Sequence, residues 1–148
     1  MPPPIIYPMA RKPIKIKQPV ALVCALLEDG GRHLFLKTID SSQKPKYELP
    51  SILIYEGEDA VASLTQAISS QCGIDAQVHQ IILKGKFNIG AKKRRHVIPA
   101  LGFSADAKNM SAKVAPPFNG FKWMGAKEAL LSPLARKSAW LLFAQAIN

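Results

Sequence analysis

From Ala60 to Ile74 the chain carries no charged residue, yet its apolar side chains keep a helical spacing at Ala60, Val61, Leu64, Ala67 and Ile68. Residues recurring at i, i+3, i+4 and i+7 lie on one face of a helix, and such a face must be buried against another layer. Asp59 can accept the free backbone N–H groups of the first turn, and Gly73 can take the left-handed conformation that stops a helix. Upstream, Tyr47-Glu48-Leu49-Pro50 and Ser51-Ile52-Leu53-Ile54 end a strand, and Glu56-Gly57-Glu58 loops into the cap. The stretch from Tyr47 to Ile74 is thus a strand-loop-helix-glycine unit, in which Val61, Leu64 and Ile68 are expected to be buried.

The rest of the chain supplies strands for that helix to cover. Val20 to Leu27 is a continuous apolar run closed by Glu28-Asp29-Gly30-Gly31, with His33 to Lys37 as the return strand of a hairpin. Asp40 to Lys46 is a polar loop. Ala76 to Phe87 and His96 to Phe103 form a second hairpin, and Asp106 to Asn119 is a proline-containing loop. Phe121 to Met124 is a short strand and Ala126 to Leu131 a short helix. Ser132-Pro133 then caps a closing helix over Leu134 to Ile147, apolar at Leu134, Trp140, Leu141, Phe143 and Ile147. Residues 1–19 hold repeated prolines with interleaved Arg and Lys and read as an extended basic arm, its end at Ile14-Lys15-Ile16-Lys17 alternating like a short edge strand. Residues 20–148 make one domain. Periodicity alone supports an α/β or α+β class.

The Tyr47–Ile74 unit resembles the Nudix box, Gly-x5-Glu-x7-Arg-Glu-U-x-Glu-Glu-x-Gly-U, where U is aliphatic. Leu49-Pro50 matches the usual entry, Glu58 the first glutamate, Ile68 the aliphatic position and Gly73-Ile74 the closing pair. The short strand containing Trp123, followed by a short helix, also resembles the family. The resemblance implies an α/β/α sandwich, a mixed sheet flanked by the box helix and a C-terminal helix. Its chemistry is largely missing. The opening glycine is Ile52, the arginine is Gln66, the next glutamate is Ala67, and the glutamate pair is Ser70-Gln71. In the family those helix carboxylates hold divalent metal on a diphosphate, and hard cations need such oxygen ligands. The remaining metal or catalytic candidates are Glu56 and Glu58, with Glu48 as a further metal candidate. Lys37 is the position that the resemblance places near a substrate, its alternative being a solvated strand-end lysine, and Trp123 is expected either to pack in the core or to line the nucleotide cleft. Returning carboxylates to positions 67, 70 and 71 is expected to restore metal binding if the cleft survives.

Charge gives the second functional signal. Twenty Lys and Arg against ten Asp and Glu leave a formal charge of +10, which draws polyanions. Between Ala76 and Ala105 there is no acid, while Lys84, Lys86, Lys92, Lys93, Arg94 and Arg95 cluster on the second hairpin. Each of these is read against a solvated surface face, and His33, His79 and His96 against ordinary hydrogen-bonded strand residues. Cys24 and Cys72 have no metal spacing and read as reduced packing residues. No apolar run approaches the roughly 18 residues of a membrane span, and no signal or transit segment is recognisable, so a cytoplasmic location is expected. Phosphate-binding glycine loops, a nucleophile elbow and zinc motifs are absent from the sequence.

Three functions remain open. The first is a Nudix-fold binding module without catalysis, which holds RNA or a nucleotide and needs no cofactor. The second is an active Nudix-type hydrolase of nucleoside diphosphate derivatives, with magnesium held by Glu56, Glu58 and Glu48. The third is a protein-interaction domain whose basic surface serves solubility.

Overall fold

The computed structural model describes residues 17–108 and 111–147. Most of the basic arm, including Ile14-Lys15-Ile16, lies outside them. The apolar run after Pro19 becomes β1 (Ala21–Asp29), and the paired glycines at 30 and 31, both at positive φ, turn it into β2 (Arg32–Ile39). Then follow β3 (Pro45–Glu48), β4 (Ser51–Ile54), α1 (Ala60–Cys72), β5 (Ala76–Asn88) and β6 (Val97–Ala107). The chain ends with β7 (Gly120–Met124), α2 (Ala126–Leu131), a 3-10 helix (Arg136–Phe143) and β8 (Gln145–Ala146).

These strands form one mixed sheet in the order β3-β2-β1-β6-β5-β8, with β4 pairing β1 and β7 pairing β2. β1 and β6 are parallel, Leu22 to Glu28 lying beside Ala100 to Asp106, and the other pairings are antiparallel. β1 is central and packed on both faces, which is why it reads as an unbroken apolar run. Its side chains divide by the period of two. Val23, Ala25 and Leu27 join Leu64, Ile68 and Cys72 of α1 in one core, while Leu22, Cys24 and Leu26 join Ala129 of α2 and Trp140 of the 3-10 helix in the other. The helix–sheet–helix sandwich follows from that division. No helix of the described residues is long and apolar enough to cross a membrane.

Two expectations need correction. Val61 is 39% exposed, because at the first turn of α1 the inward position is taken by Ala60, which packs against the core beside Leu64, Ala67 and Ile68. The closing segment is a 3-10 helix confined to Arg136–Phe143. Its start is delayed because Tyr47 bonds the chain on either side of Leu134: its N–H donates to the Pro133 carbonyl and its carbonyl accepts from the Ala135 N–H, holding this segment extended against β3. Its end comes early because the chain turns at Ala144 to pair with β5. Phe143 and Ile147, expected on an apolar helix face, are therefore exposed.

Both cysteines are free and buried, and burial pushes each thiol up to about 12. Since the thiolate is the nucleophile, native protein at neutral pH should react with a thiol reagent at the rate of global or local opening only. Complete modification within seconds in buffer without denaturant would contradict this packing.

Candidate functional site

The loop before α1 is occupied with its own folding. The Asp59 carboxylate accepts from Ala62 N at 3.0 Å and caps the helix, and Gly73 at φ 66° closes it. Glu58 Oε1 accepts from Tyr55 N at 2.6 Å, so this carboxylate ties the loop back on itself. Glu56 is exposed beside it. On α1, Ala67 is 4% exposed and faces the core. Gln71 reaches across to β4, where its Nε2 donates to Ser51 O at 2.8 Å and its Oε1 accepts from Ser51 N at 3.4 Å. That clamp needs a donor and an acceptor on one side chain, which an amide has and an ionised carboxylate lacks. Ser70 Oγ donates to the Gln66 carbonyl of the preceding turn at 3.0 Å, while Gln66 is exposed.

The other sequence candidates are spread over β2, β3 and β7. Lys37 lies opposite Gly120 and Tyr47, and Trp123 lies opposite Leu34. Residues directly opposite share a face, and positions 34 and 37 of one strand do not, so Lys37 and Trp123 are on opposite faces of the sheet. Trp123 packs against the α1-side core. Glu48 is half-buried at the end of β3. Burial raises its carboxyl above the usual range, and the charge of Lys137 on the 3-10 helix opposes that rise. Among the described residues, no three His, Cys, Asp or Glu side chains converge as a metal site would require. His79 pairs instead with Asp106 at 2.7 Å, and burial lowers the His33 pKa, with Glu28 opposing.

The basic hairpin is better assembled. Asn88 Oδ1 accepts from Gly90 N and His96 N, both at 2.9 Å, and Arg94 N donates to Ala91 O at 3.1 Å, which leaves Lys92 and Lys93 at the tip. A side chain at Gly90 would run into the Arg94 carbonyl, so the glycine permits this close return. Lys92, Lys93, Arg94 and Arg95 are exposed, and none of the six hairpin cations forms an ion pair among the described residues.

Sequence reasoning missed what stands beside the hairpin. Arg136 of the 3-10 helix donates from Nη2 to Asn88 O at 2.8 Å and Gly90 O at 3.1 Å, with its guanidinium carbon 5.7 Å from the centre of the Phe87 ring. Trp140 lies on Gly85, where an added Cβ would come within 2.6 Å of Cε3. A glycine inside a strand pattern often marks such an approach, and Gly85 between two lysines was that signal. The Trp140 indole N–H has no nitrogen or oxygen partner and borders the Cys24 thiol, a weak acceptor.

No profile of a known protein family matches the sequence, and no curated protein matches it. Solved structures do. A MutT Nudix hydrolase from Burkholderia pseudomallei is 20% identical at a TM-score of 0.60, with 86% of this chain and 98% of that one covered. The Nudix domain of Shewanella oneidensis NrtR, complexed with ADP ribose, is 16% identical at 0.60, covering 93% and 92%. A Nudix hydrolase from Nitrosomonas europaea is 13% identical at 0.63, covering 85% and 69%. The fold is that of the Nudix hydrolases. The metal that the fold implies can be tested against the residues of α1 and its loop. They do not fit: Ala67 is turned into the core, Gln71 is engaged with β4, Glu58 is engaged with Tyr55, and Glu48 sits beside Lys137 rather than with the loop carboxylates.

Proposed function

We propose that this Nudix-fold chain is a non-catalytic binding module for RNA or a nucleotide. The observation that carries the reading is the state of α1, where the carboxylate positions 67 and 71 are spent on packing and on the Gln71–Ser51 clamp and position 70 is an uncharged serine. Without those carboxylates the surface repels phosphate less, and no metal is needed to bridge the two. The exposed cations of the hairpin support a polyanion as ligand. The ADP ribose held by the Shewanella domain supports a nucleotide as the smaller alternative. A cytoplasmic location would suit either.

Two measurements test this together. With magnesium and a panel of nucleoside diphosphate derivatives, phosphate-bearing products should not exceed a no-protein control. Turnover abolished by Glu58→Gln would instead establish the hydrolase reading. With single-stranded RNA, log affinity should fall with log salt at a slope of roughly 0.7 per neutralised phosphate. Joint replacement of Lys92, Lys93, Arg94 and Arg95 by Ala should flatten that slope by up to about 3 while leaving thermal stability nearly unchanged. Absence of any binding at low salt would leave the hairpin as a solvated surface and favour the protein-interaction reading.

A further inference from the structure

Between its pairing with β8 and the Arg136 contact at Asn88, the hydrogen-bond phase of β5 leaves one rung open. Ile89 N donates to His96 O at 2.9 Å, which marks Ile89 and His96 as a hydrogen-bonded position. In an antiparallel ladder such positions alternate. With Phe87 opposite Ile98 and Gly85 opposite Ala100, those two residues bond inward to β6, and Lys84, Lys86 and Asn88 turn their backbone groups outward. Pro99 stands opposite Lys86, where its missing N–H costs the ladder nothing. On the outer side, Ile147 N donates to Ile82 O, and Gln145 lies opposite Lys84. Asn88 O is taken by Arg136. Lys86 falls between them. The chain that would continue β8 alongside it has already entered the 3-10 helix at Phe143, so the register gives the Lys86 N–H and C=O no strand partner on that side.

This open rung faces a groove. Two adjoining cavities of about 540 Å³ each run along it and share Lys86, Trp140 and Phe143, with Lys92 and Arg136 at one end and Lys84 and Gln145 at the other. Each is within the roughly 300–1,000 Å³ of small-ligand sites. Phe143 is 83% exposed, so its ring has a free face on which a planar group can stack. No acid lines either cavity.

We propose that this groove binds single-stranded nucleic acid by its bases, with one base stacked on Phe143, its edge paired to the Lys86 backbone, and flanking phosphates on Lys92 and Arg136. The proposal rests on the binding-module reading and gives it a location and a mode. A backbone N–H beside a C=O matches the neighbouring acceptor and donor on the edge of a base. The guanidinium of Arg136, fixed by its bonds to the hairpin, has further N–H groups for a phosphate. An acidic peptide is the lesser fit: adding a strand requires several successive rungs, and only that of Lys86 is open between the Gln145 pairing and Arg136.

The test measures anisotropy of labelled single-stranded RNA and DNA oligonucleotides, with inorganic polyphosphate as a competitor that has charge and no bases. Phe143→Ala should weaken oligonucleotide binding about tenfold, the ordinary loss for one stacked base, with the salt slope and polyphosphate competition unchanged. Phe143→Trp should restore binding. Equal losses on RNA and DNA identify base and phosphate as the shared determinant, and a loss confined to RNA adds the ribose hydroxyl. If Phe143→Ala binds oligonucleotides as wild type does while the fourfold hairpin variant is impaired, the groove proposal is wrong and the module reading survives. If wild type binds no oligonucleotide at low salt, the groove proposal falls together with the RNA form of the module reading. The groove proposal also falls if wild type self-associates through this face, or takes up an acidic peptide there that oligonucleotide cannot displace.

Discussion

Leu64→Ala should lower the free energy of unfolding by roughly 2–5 kcal/mol, read as a shift of the urea midpoint at unchanged slope. Leu64 has no exposed surface and belongs to the core that joins α1 to Val23, Ala25, Leu34 and Leu36 of the sheet. Removing its isobutyl group loses the transfer term and leaves a cavity that the flanking strands can close only in part. Val61→Ala provides the contrast. With Val61 39% exposed, its truncation should stay near or below about 1 kcal/mol, the usual range away from the core. Equal losses at the two positions would mean that α1 presents a different face from the one described.

The triple variant Ala67→Glu, Ser70→Glu, Gln71→Glu should fail to fold stably rather than recover a metal site, which revises what the sequence pattern led us to expect. The first substitution places a carboxylate at a position that is 4% exposed in an apolar core, and an uncompensated buried charge costs roughly 3–5 kcal/mol. The third removes the donor to Ser51 O and sets an anion against that carbonyl, at a further cost of about 1–3 kcal/mol. Ser70→Glu alone, at an exposed site, should change stability by about 0.5 kcal/mol or less. The pH dependence has a definite sign. Burial raises the folded-state pKa of the carboxylate at position 67 above its unfolded value of about 4.3, so the penalty is absent below that pH. It grows as pH rises through the window between the two values and is complete above the folded pKa. The variant should therefore be closest to wild type near pH 4. Native-like stability at pH 8 together with magnesium uptake measured by calorimetry would show that α1 can turn its box positions outward, and the hydrolase reading would regain its ligands.

Much of the scaffold was legible because it depends on local rules. The α1 boundaries follow from a capping aspartate and a terminal glycine, α2 was bounded correctly at Ala126 and Leu131, and the frame from Leu49-Pro50 to Gly73-Ile74 identified the unit whose fold the solved structures share. The 3-10 helix was not legible. Its sequence has an acceptable helical pattern, and what shortens it is the pair of bonds from Tyr47, more than eighty positions upstream.

The site divides in the same way. Charge is additive along a chain, so the six cations of an acid-free hairpin can be counted from residue order alone, as can the loss of carboxylates from α1. Those two facts carry the case against metal and for an anionic partner. Three-dimensional packing was needed to show that Lys37 and Trp123 face opposite sides of the sheet, that Gln71 is spent on β4, and that Arg136, Trp140 and Phe143 stand beside the open rung at Lys86. These depend on strand register and on contacts between distant segments. A shift of one residue in pairing exchanges the two faces, and no local propensity records it.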